Sequence, residues 1–188
     1  MSARGKRILD IAVAAIGLVV LAPLIAAVAA AIRLQSPGPA LFRQTRVGRN
    51  GVPFTCYKLR SMHAGTTERP THETPATAVT PFGHWLRRSK FDELPQRFNV
   101  LRGELSLVGP RPCLPSQKEL IDLRHTLGVL DVRPGITGLA QIMGIDMSRP
   151  RRLAKVDAIY VDRQSLALDL RIIGATLTRR GGSLGRRR

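Results

Sequence analysis

The sequence predicts a mainly helical protein of the α+β class, with one small β-hairpin and an N-terminal helix that enters a membrane. Three patterns indicate this class. An uncharged apolar run extends from Ile11 to Ile32, two strand-like segments flank an Asn-Gly pair, and later segments carry apolar residues at helical spacing. We expect three parts: a membrane helix over 1–36, a domain over 37–180 and a flexible basic tail over 181–188.

The apolar run fits two membrane topologies. About 22 residues at roughly 1.5 Å each match a bilayer's hydrocarbon core, which favours a single span. Pro23 favours a bend instead, because proline lacks an N–H donor and clashes with the carbonyl of Val19. The basic residues on both flanks would keep both ends in the cytoplasm, as in a helix that turns at Pro23 and leaves on the same side. The pattern alone leaves both topologies open.

The composition is strongly basic and restricts the class of partner. Thirty Lys and Arg residues against 13 Asp and Glu give a net charge of +17. Such a charge fits nucleic acid, anionic lipid or a phosphorylated substrate. Aromatic residues make up only 4 %, and no motif alternates basic and aromatic residues, which argues against nucleic acid. The two isolated cysteines suit a reducing cytoplasm, and the four histidines lack the spacing of metal ligands.

The first segment after the apolar run predicts the β-hairpin. Residues 40–44 and 52–58 have strand composition, and an Asn-Gly pair between them favours a tight turn. The second strand carries Lys58 and Arg60 to its far end. Residues 63–81 have no hydrophobic period and predict a long loop, either a lid over a site or simple disorder.

Two segments beyond this loop predict helices with different roles. Residues 82–90 combine Trp85 with three cations, as in a short amphipathic helix on a membrane surface, although Trp85 also fits a core position. A helix beginning near Asp92 follows. Asp92 and Glu93 fit a helix cap and an acid favoured by the helix dipole. They also fit a nucleophile beside a group that binds a divalent cation or takes a proton.

The C-terminal half carries one rigid arginine, a glycine-rich loop and several helices. Arg111 lies between two prolines, which suits bidentate binding of phosphate. Residues 116–119 have the pattern of a capping box that opens a helix. The loop 133–141 either presents N–H groups to an anion or turns the chain. A helix from Arg151 carries Asp157 beside its inward face, which includes Leu153, Val156, Ile159 and Tyr160. A last, interfacial helix covers 166–177.

Taken in order, these motifs resemble the bacterial sugar transferase family, the monotopic polyprenyl-phosphate phosphoglycosyl transferases that begin the assembly of surface glycans. The resemblance extends from Lys6 to about Arg179 and is closest to the minimal form of the family. It rests on four motifs with matching separations, which are Lys-Leu-Arg-Ser-Met at 58–62, Asp-Glu-Leu at 92–94, Gly-Pro-Arg-Pro at 109–112 and Arg-Pro-Gly-Ile-Thr-Gly at 133–138.

The resemblance implies a re-entrant helix bent at Ala22 and Pro23, with the active site at the cytoplasmic face of the bacterial inner membrane. The implied reaction moves a sugar 1-phosphate from a UDP-sugar to polyprenyl (undecaprenyl) phosphate, depends on Mg²⁺ and releases UMP. Asp92 would form a covalent phosphosugar intermediate, and Glu93 would assist through the metal or as a proton acceptor. Both would be magnesium ligands. The positions that would hold substrate are Lys58, Arg60, Arg87, Arg111, Pro112, Gln141 and Asp157.

Two departures from the family pattern affect these expectations. Ala22 stands where the family commonly has Ser before the proline. Met143-Gly144-Ile145 follows Gln141 where many members have Asn-Gly-Arg, and Arg149, Arg151 or Arg152 would have to replace that arginine. We expect anionic lipid as a membrane partner, no nucleic acid, and possible homo-oligomers. The rival hypothesis is a non-catalytic, membrane-anchored basic module that binds anionic lipid or a protein partner.

Overall fold

The structure, a computed structural model, describes residues 3–63, 65–66 and 75–178 of the chain. Within these ranges it is mostly helical and contains two small, two-stranded sheets. The helices are α1 (Ala3–Gln35), α2 (Pro81–Ser89), α3 (Gln96–Leu101), α4 (Lys118–Thr126), α5 (Leu139–Ile142), α6 (Pro150–Asp162) and α7 (Leu166–Thr178). The strands are β1 (Leu41–Val47), β2 (Pro53–Leu59), β3 (Ser106–Val108) and β4 (Gly135–Thr137). The predicted tail, 181–188, and residues 64 and 67–74 of the predicted loop lie outside the described residues.

Helix α1 contacts the rest of the chain along one side only. Ala14 packs near its start against Cys56 and Val100, while Val28 and Ile32 pack near its end in a separate cluster. The opposite side exposes large apolar side chains, which are Ile8, Ile16, Val19 and Val20. By length and composition alone, α1 is the one helix among the described residues that could cross a membrane. It is helical through Pro23, so re-entry at that residue stays a prediction.

Polar contacts attach the first turns of α1 to the domain. Arg7 donates to the carbonyl of Val100 at 2.7 Å, at the end of α3, where helix carbonyls lack partners within the helix. The other contacts are an ion pair from Lys6 to Asp169 at 2.5 Å and hydrogen bonds to the Asp10 carboxylate from the Ser106 hydroxyl at 2.7 Å and the Leu107 N–H at 3.2 Å. The start of α1 is therefore fixed by charged and polar side chains.

The predicted hairpin is confirmed, with a longer first strand. Strands β1 and β2 pair antiparallel, from Leu41 opposite Leu59 to Val47 opposite Pro53. The turn between them includes Asn50 at φ 56°, a left-handed conformation that asparagine tolerates. Side chains alternate along β1, so that Gln44 and Arg46 are buried while Arg43 and Thr45 are exposed.

The second sheet is absent from the sequence prediction. Strands β3 and β4 pair in parallel, and β4 lies inside the predicted glycine-rich loop 133–141. A Cβ on Gly135 would lie 2.1 Å from the Gly109 nitrogen, so the close approach of the two strands requires glycine. The N–H groups of Gly109 and Gly135 donate to the carbonyls of Thr137 and Pro110. Within the loop 133–141, the N–H of Gly135 is therefore not available to an anion, because the carbonyl of Pro110 already accepts from it.

Two predicted helix starts are wrong. Asp92 caps no helix: it lies inside a short 3-10 turn, Phe91–Glu93, and α3 begins only at Gln96. The capping box at 116–119 does not form either. The side chain of Gln117 turns back to accept from the N–H of Leu114 at 3.0 Å, and α4 begins at Lys118 without a side-chain cap.

The amphipathic helices occur as predicted, with one residue misplaced. Helix α6 buries Leu153, Val156 and Tyr160, but Ile159 is 46 % exposed because it falls beside this stripe. Trp85 on α2 is 47 % exposed and stacks on Phe82, so the core interpretation of Trp85 is wrong. Helix α7 leaves a row of leucines exposed, which are Leu166, Leu170 and Leu177.

Candidate active site

A cleft of about 440 Å³ opens beside the hairpin and is bounded by α2, the Phe91–Glu93 turn and Arg111. This volume lies within the roughly 300–1,000 Å³ of small-molecule sites. Among the described residues, six cationic side chains and two carboxylates line it, which leaves four positive charges in excess. The eight charged residues are Arg46, Lys58, Arg60, Arg87, Lys90, Arg111, Asp92 and Glu93.

Most of the predicted site residues converge on this cleft. Lys58, Arg60, Arg87, Arg111, Gln141, Asp92 and Glu93 all line it. The side chain of Gln141 donates to the carbonyl of Ile136, and its Oε1 is buried without a partner among the described residues. An amide oxygen left in this way can accept a hydrogen bond from a ligand.

Glu93 is held by two cations. Its Oε1 accepts from Arg111 at 2.6 Å and from Lys58 at 3.3 Å. Burial opposes ionisation of this carboxyl, but the charges of Arg111 and Lys58 outweigh burial and hold the pKa of Glu93 well below its usual range. Glu93 is therefore a permanent anion that fixes the positions of two cations in the cleft.

Asp92 shares the burial and the nearby cations of Glu93, but it makes no ion pair with the described residues. Its carboxylate accepts no hydrogen bond from the described part of the chain, although the residue is only 8 % exposed. Burial, and then the negative charge of Glu93, raise the pKa of Asp92 to about 6, against the opposing effect of nearby cations. A carboxylate that accepts no hydrogen bond from the described residues and is mostly ionised at neutral pH has the properties of a nucleophile.

Arg87 and Arg60 reach the cleft in different ways. The Nε of Arg87 donates to the Ser61 hydroxyl at 2.9 Å, and its other nitrogens make no hydrogen bond with described residues. Arg60 donates instead to the carbonyls of Pro37 and Ser36, both at 2.8 Å, which fixes the turn after α1. The terminal nitrogens of Arg60 are thus engaged by residues 36–37, while its Nε is buried without a partner among the described residues, and its role as a phosphate ligand stays a prediction.

Pro112 and Asp157 do not line the cleft. Pro112 is buried, and its carbonyl accepts from Arg46 at 3.0 Å. Asp157 is 2 % exposed and pairs with Arg124 at 2.6 Å. Arg124 also donates to the carbonyl of Arg111 at 2.9 Å. The contacts of Pro112 and Asp157 in the structure support the main chain around Arg111, and their predicted substrate contacts stay predictions.

The remaining predicted positions lie elsewhere. Ala22 and Pro23 are on an exposed face of α1. The arginines proposed to replace the missing family arginine do not line the cleft, and Arg151 pairs with Glu119 on an exposed surface at 3.3 Å.

Gln44 and Arg46 are the cleft residues that the sequence interpretation missed. Both are buried and both line the cleft, from the inner face of β1. The period-two alternation of the strand could have found them, because it places both polar side chains on one face.

The carboxylate pair is the candidate metal site. Among the described residues no three His, Cys, Asp or Glu side chains come together. Magnesium needs fewer protein ligands, since it commonly uses one or two carboxylates together with phosphate oxygens and water. The partner-free oxygens of Asp92, next to Glu93, fit such an ion.

Comparison with known proteins identifies similar chains. A family model described as "Bacterial sugar transferase" matches residues 1–180. The chain is 42 % identical over 183 residues to the UDP-glucose:undecaprenyl-phosphate glucose-1-phosphate transferase of Caulobacter vibrioides, covering 92 % of this chain and 68 % of that protein. It is 38 % identical over 188 residues to the protein of the same name from Escherichia coli, covering 92 % of this chain and 39 % of that protein.

A third relative is named for a different sugar. The chain is 37 % identical over 187 residues to the UDP-N-acetylgalactosamine-undecaprenyl-phosphate N-acetylgalactosaminephosphotransferase of Aeromonas hydrophila. The match covers 92 % of this chain and 42 % of the Aeromonas protein. The chain thus spans about two fifths of the length of the Escherichia and Aeromonas relatives.

Proposed function

Because the chain belongs to the bacterial sugar transferase family, we propose that it moves a sugar 1-phosphate from a UDP-sugar to undecaprenyl phosphate and releases UMP. The family match confirms the resemblance that the motifs indicated. The observation that carries the proposal is Asp92, a carboxylate without a hydrogen-bond donor among the described residues, in a cleft with excess positive charge. The relatives are named for more than one sugar, so the proposal covers UDP-sugars as a class.

In the first step, an oxygen of Asp92 attacks the phosphorus that bears the sugar. A bond forms between Asp92 and that phosphorus, the bond to the bridging oxygen breaks, and UMP leaves with the electron pair. Phosphoryl transfer depends mainly on positioning and on neutralising charge, which Lys58, Arg87 and Arg111 supply around Asp92. A pKa near 6 keeps Asp92 mostly ionised at neutral pH, as the attack requires.

In the second step, an oxygen of undecaprenyl phosphate attacks the same phosphorus. The bond to Asp92 breaks, and the carboxylate returns to its starting state. Splitting the transfer in two lets a soluble nucleotide and a membrane lipid use the cleft in turn. Throughout both steps, Glu93 keeps Lys58 and Arg111 in place through its two ion pairs.

Magnesium fits this proposal through the carboxylate pair. Asp92 and Glu93 would hold the ion together with phosphate oxygens and water, and the bound ion would neutralise phosphate charge. Removal of divalent cations by a chelator is expected to stop UMP release, and added Mg²⁺ to restore it.

The proposed location is the cytoplasmic face of the bacterial inner membrane, with α1 re-entering at Ala22 and Pro23. The contacts of α1 support this topology. Its start is bound to the domain through Lys6, and Arg60 binds the turn that follows its end. A straight span would place these two ends on opposite sides of the bilayer. A cysteine introduced at Ser2 should resist labelling from the periplasm, and labelling there would overturn the topology.

Turnover is tested by UMP release from a panel of UDP-sugars with undecaprenyl phosphate and Mg²⁺. The wild type should release UMP with at least one donor, and Asp92→Asn should not. Asp122→Asn is the matched control, because Asp122 is exposed on α4 and remote from the cleft. No release by folded wild type across the panel would favour the non-catalytic anchor.

The covalent intermediate is tested by omitting the acceptor. Wild-type protein with UDP-sugar alone should release UMP up to the amount of enzyme and gain the mass of one sugar phosphate. The mass gain should map to Asp92 and be absent from Asp92→Asn. UMP release that strictly requires acceptor, without any mass gain, would indicate direct transfer instead.

A further inference from the structure

Arg46 is a buried cation whose hydrogen-bond partners are all neutral. The residue is 7 % exposed on the inner face of β1. Its Nε and one terminal nitrogen donate to Oε1 of Gln44 at 3.0 and 2.5 Å, and the other terminal nitrogen donates to the carbonyl of Pro112 at 3.0 Å. No carboxylate among the described residues accepts a hydrogen bond from it. Two of its five N–H donors remain for another acceptor.

This arrangement is unfavourable without a closer anion, because no carboxylate of the described residues bonds Arg46 and the charge of Glu93 offsets the burial of Arg46 only slightly. Burial of a charge costs free energy unless an opposite charge compensates it. Burial, and then the positive charge of Arg111, lower the pKa of Arg46 to about 10, so the guanidinium stays charged at neutral pH. Two arginines thus repel each other at the wall of a cleft that already has excess positive charge.

Gln44 presents a second donor group at the same wall. Its Oε1 accepts from Arg46, which fixes the orientation of the side-chain amide. The Nε2 of Gln44 donates no hydrogen bond within the described part of the chain, and the residue lines the cleft. An amide oriented in this way offers N–H donors to a ligand and no acceptor.

We propose that Gln44 and Arg46 bind a phosphate group of the substrate, an inference that rests on the proposed function. The guanidinium supplies the uncompensated charge and the amide supplies oriented N–H donors. A phosphate oxygen meets both needs, because it is an anion and accepts several hydrogen bonds. Two phosphates have this chemistry here: the diphosphate of the nucleotide and the phosphate of the lipid.

The competing explanation is that Arg46 only ties β1 to Pro112. The two explanations predict opposite results for Arg46→Met, which keeps the length of the side chain but removes its charge and donors. If Arg46 only connects β1 to Pro112, Arg46→Met should have lower stability and unchanged ligand affinity. A phosphate-binding role predicts weaker binding of phosphate compounds, whatever happens to stability.

The experiment measures the dissociation constant of UDP for the purified full-length chain, with uridine as the phosphate-free probe. Arg46→Met should bind UDP at least about tenfold more weakly, equivalent to about 1.4 kcal/mol. Uridine binding should not change. Arg43→Met is the matched control: Arg43 is on the same strand, carries the same charge and faces away from the cleft, so UDP affinity should stay at the wild-type value.

Arg46→Lys covers the case in which Arg46→Met fails to fold. Lysine keeps the charge but cannot bond Gln44 and Pro112 together, so most of the UDP affinity should survive while stability falls. Wild-type UDP affinity in Arg46→Met, together with a wild-type rate in the lipid arm described next, would overturn the inference. A second arm measures reaction of undecaprenyl phosphate with the preformed intermediate. A loss confined to this arm assigns the pair to the lipid phosphate, and a loss confined to UDP assigns it to the nucleotide.

The result separates the inference from the function on which it rests. Wild-type protein that binds UDP through Arg46 but releases no UMP would remove the proposed function and keep the phosphate site. Wild-type protein that releases UMP, combined with an Arg46→Met variant that keeps both UDP affinity and the rate with undecaprenyl phosphate, would keep the proposed function and remove the phosphate site.

Discussion

Two groups of buried charges in this protein are treated in opposite ways. At the start of α1, Lys6 pairs with Asp169 and Asp10 accepts from Ser106, so each charge has a partner. In the cleft, Arg46 has only neutral partners and Asp92 accepts no hydrogen bond from described residues. Paired charges hold the structure together, while unpaired charges indicate where a ligand supplies what the protein lacks.

The largest expected effect comes from Asp92→Asn, which tests the unpaired side of this comparison. Loss of the nucleophile should lower turnover at least about a thousandfold. Stability at pH 7 should rise by about 1–3 kcal/mol, because a carboxyl whose folded pKa is raised destabilises the folded state once ionised. Turnover and urea unfolding measure the two effects. A loss of stability would mean that Asp92 is a structural residue.

The next effect concerns the buried pair of Arg124 with Asp157, between α4 and α6. Arg124→Met leaves Asp157 buried without a partner and should destabilise the protein by about 3–5 kcal/mol. Activity should fall as well, because Arg124 also holds the carbonyl of Arg111. Urea unfolding measures the loss of stability.

A second ion pair between the same two helices provides the control. Arg151→Met removes an exposed pair with Glu119 and should change stability little. Equal effects of the two substitutions would contradict the distinction between buried and exposed pairs. Asp157→Asn is the milder variant if Arg124→Met fails to fold.

A smaller effect is expected in the pH profile of the first step. Below about pH 6 the rate of UMP release should fall about tenfold per pH unit, because only ionised Asp92 attacks. Glu93→Gln removes the neighbouring negative charge, so the midpoint should move to lower pH even as the rate falls. A midpoint that stays in place or moves upward would show that Glu93 does not control the ionisation of Asp92.

The free energy of unfolding should depend on the same ionisation of Asp92 as the rate of UMP release, but in the opposite direction. Between about pH 4 and 6 the folded state binds a proton at Asp92 that the unfolded chain has released. Stability contributed by this group therefore falls as pH rises through that window. Asp92→Asn should lack this dependence in urea unfolding.

The smallest effect is expected at the paired end of the comparison. Lys6→Met breaks the contact with Asp169, which keeps its hydrogen bond from Tyr160, and should cost about 1–2 kcal/mol. The chemical step with a bound donor should not change. Arg4→Met, an exposed neighbour on α1, is the control and should leave urea unfolding unaltered.

Local patterns in the sequence predicted the elements that depend on nearby residues. The Asn-Gly turn at Asn50 and the helical stripe at Leu153 and Val156 need only their neighbours, and both occur. The parallel pairing of Ser106 with Gly135 joins two three-residue strands that are far apart in sequence. Nothing local indicates that pairing, because the residues that pair are distant in sequence.

Sequence motifs predicted which residues belong to the candidate site but not where each side chain points. The motifs contain Asp92, Glu93 and Arg111, which meet in the cleft. A motif does not give the direction of each side chain, so Pro112 beside Arg111 is buried away from the cleft. Arg46 shows the reverse case, since its proposed role follows from its neutral hydrogen-bond partners, which only the packed structure reveals.

The contact of Arg60 with residues 36–37 has a further consequence for how the lipid reaches the cleft. These hydrogen bonds join the wall of the cleft directly to the turn that ends α1. With α1 in the bilayer as proposed, these hydrogen bonds fix the distance between Asp92 and the lipid headgroups. Only the phosphate of the acceptor then has to rise by that distance, and the length of its hydrocarbon tail should matter little to the rate.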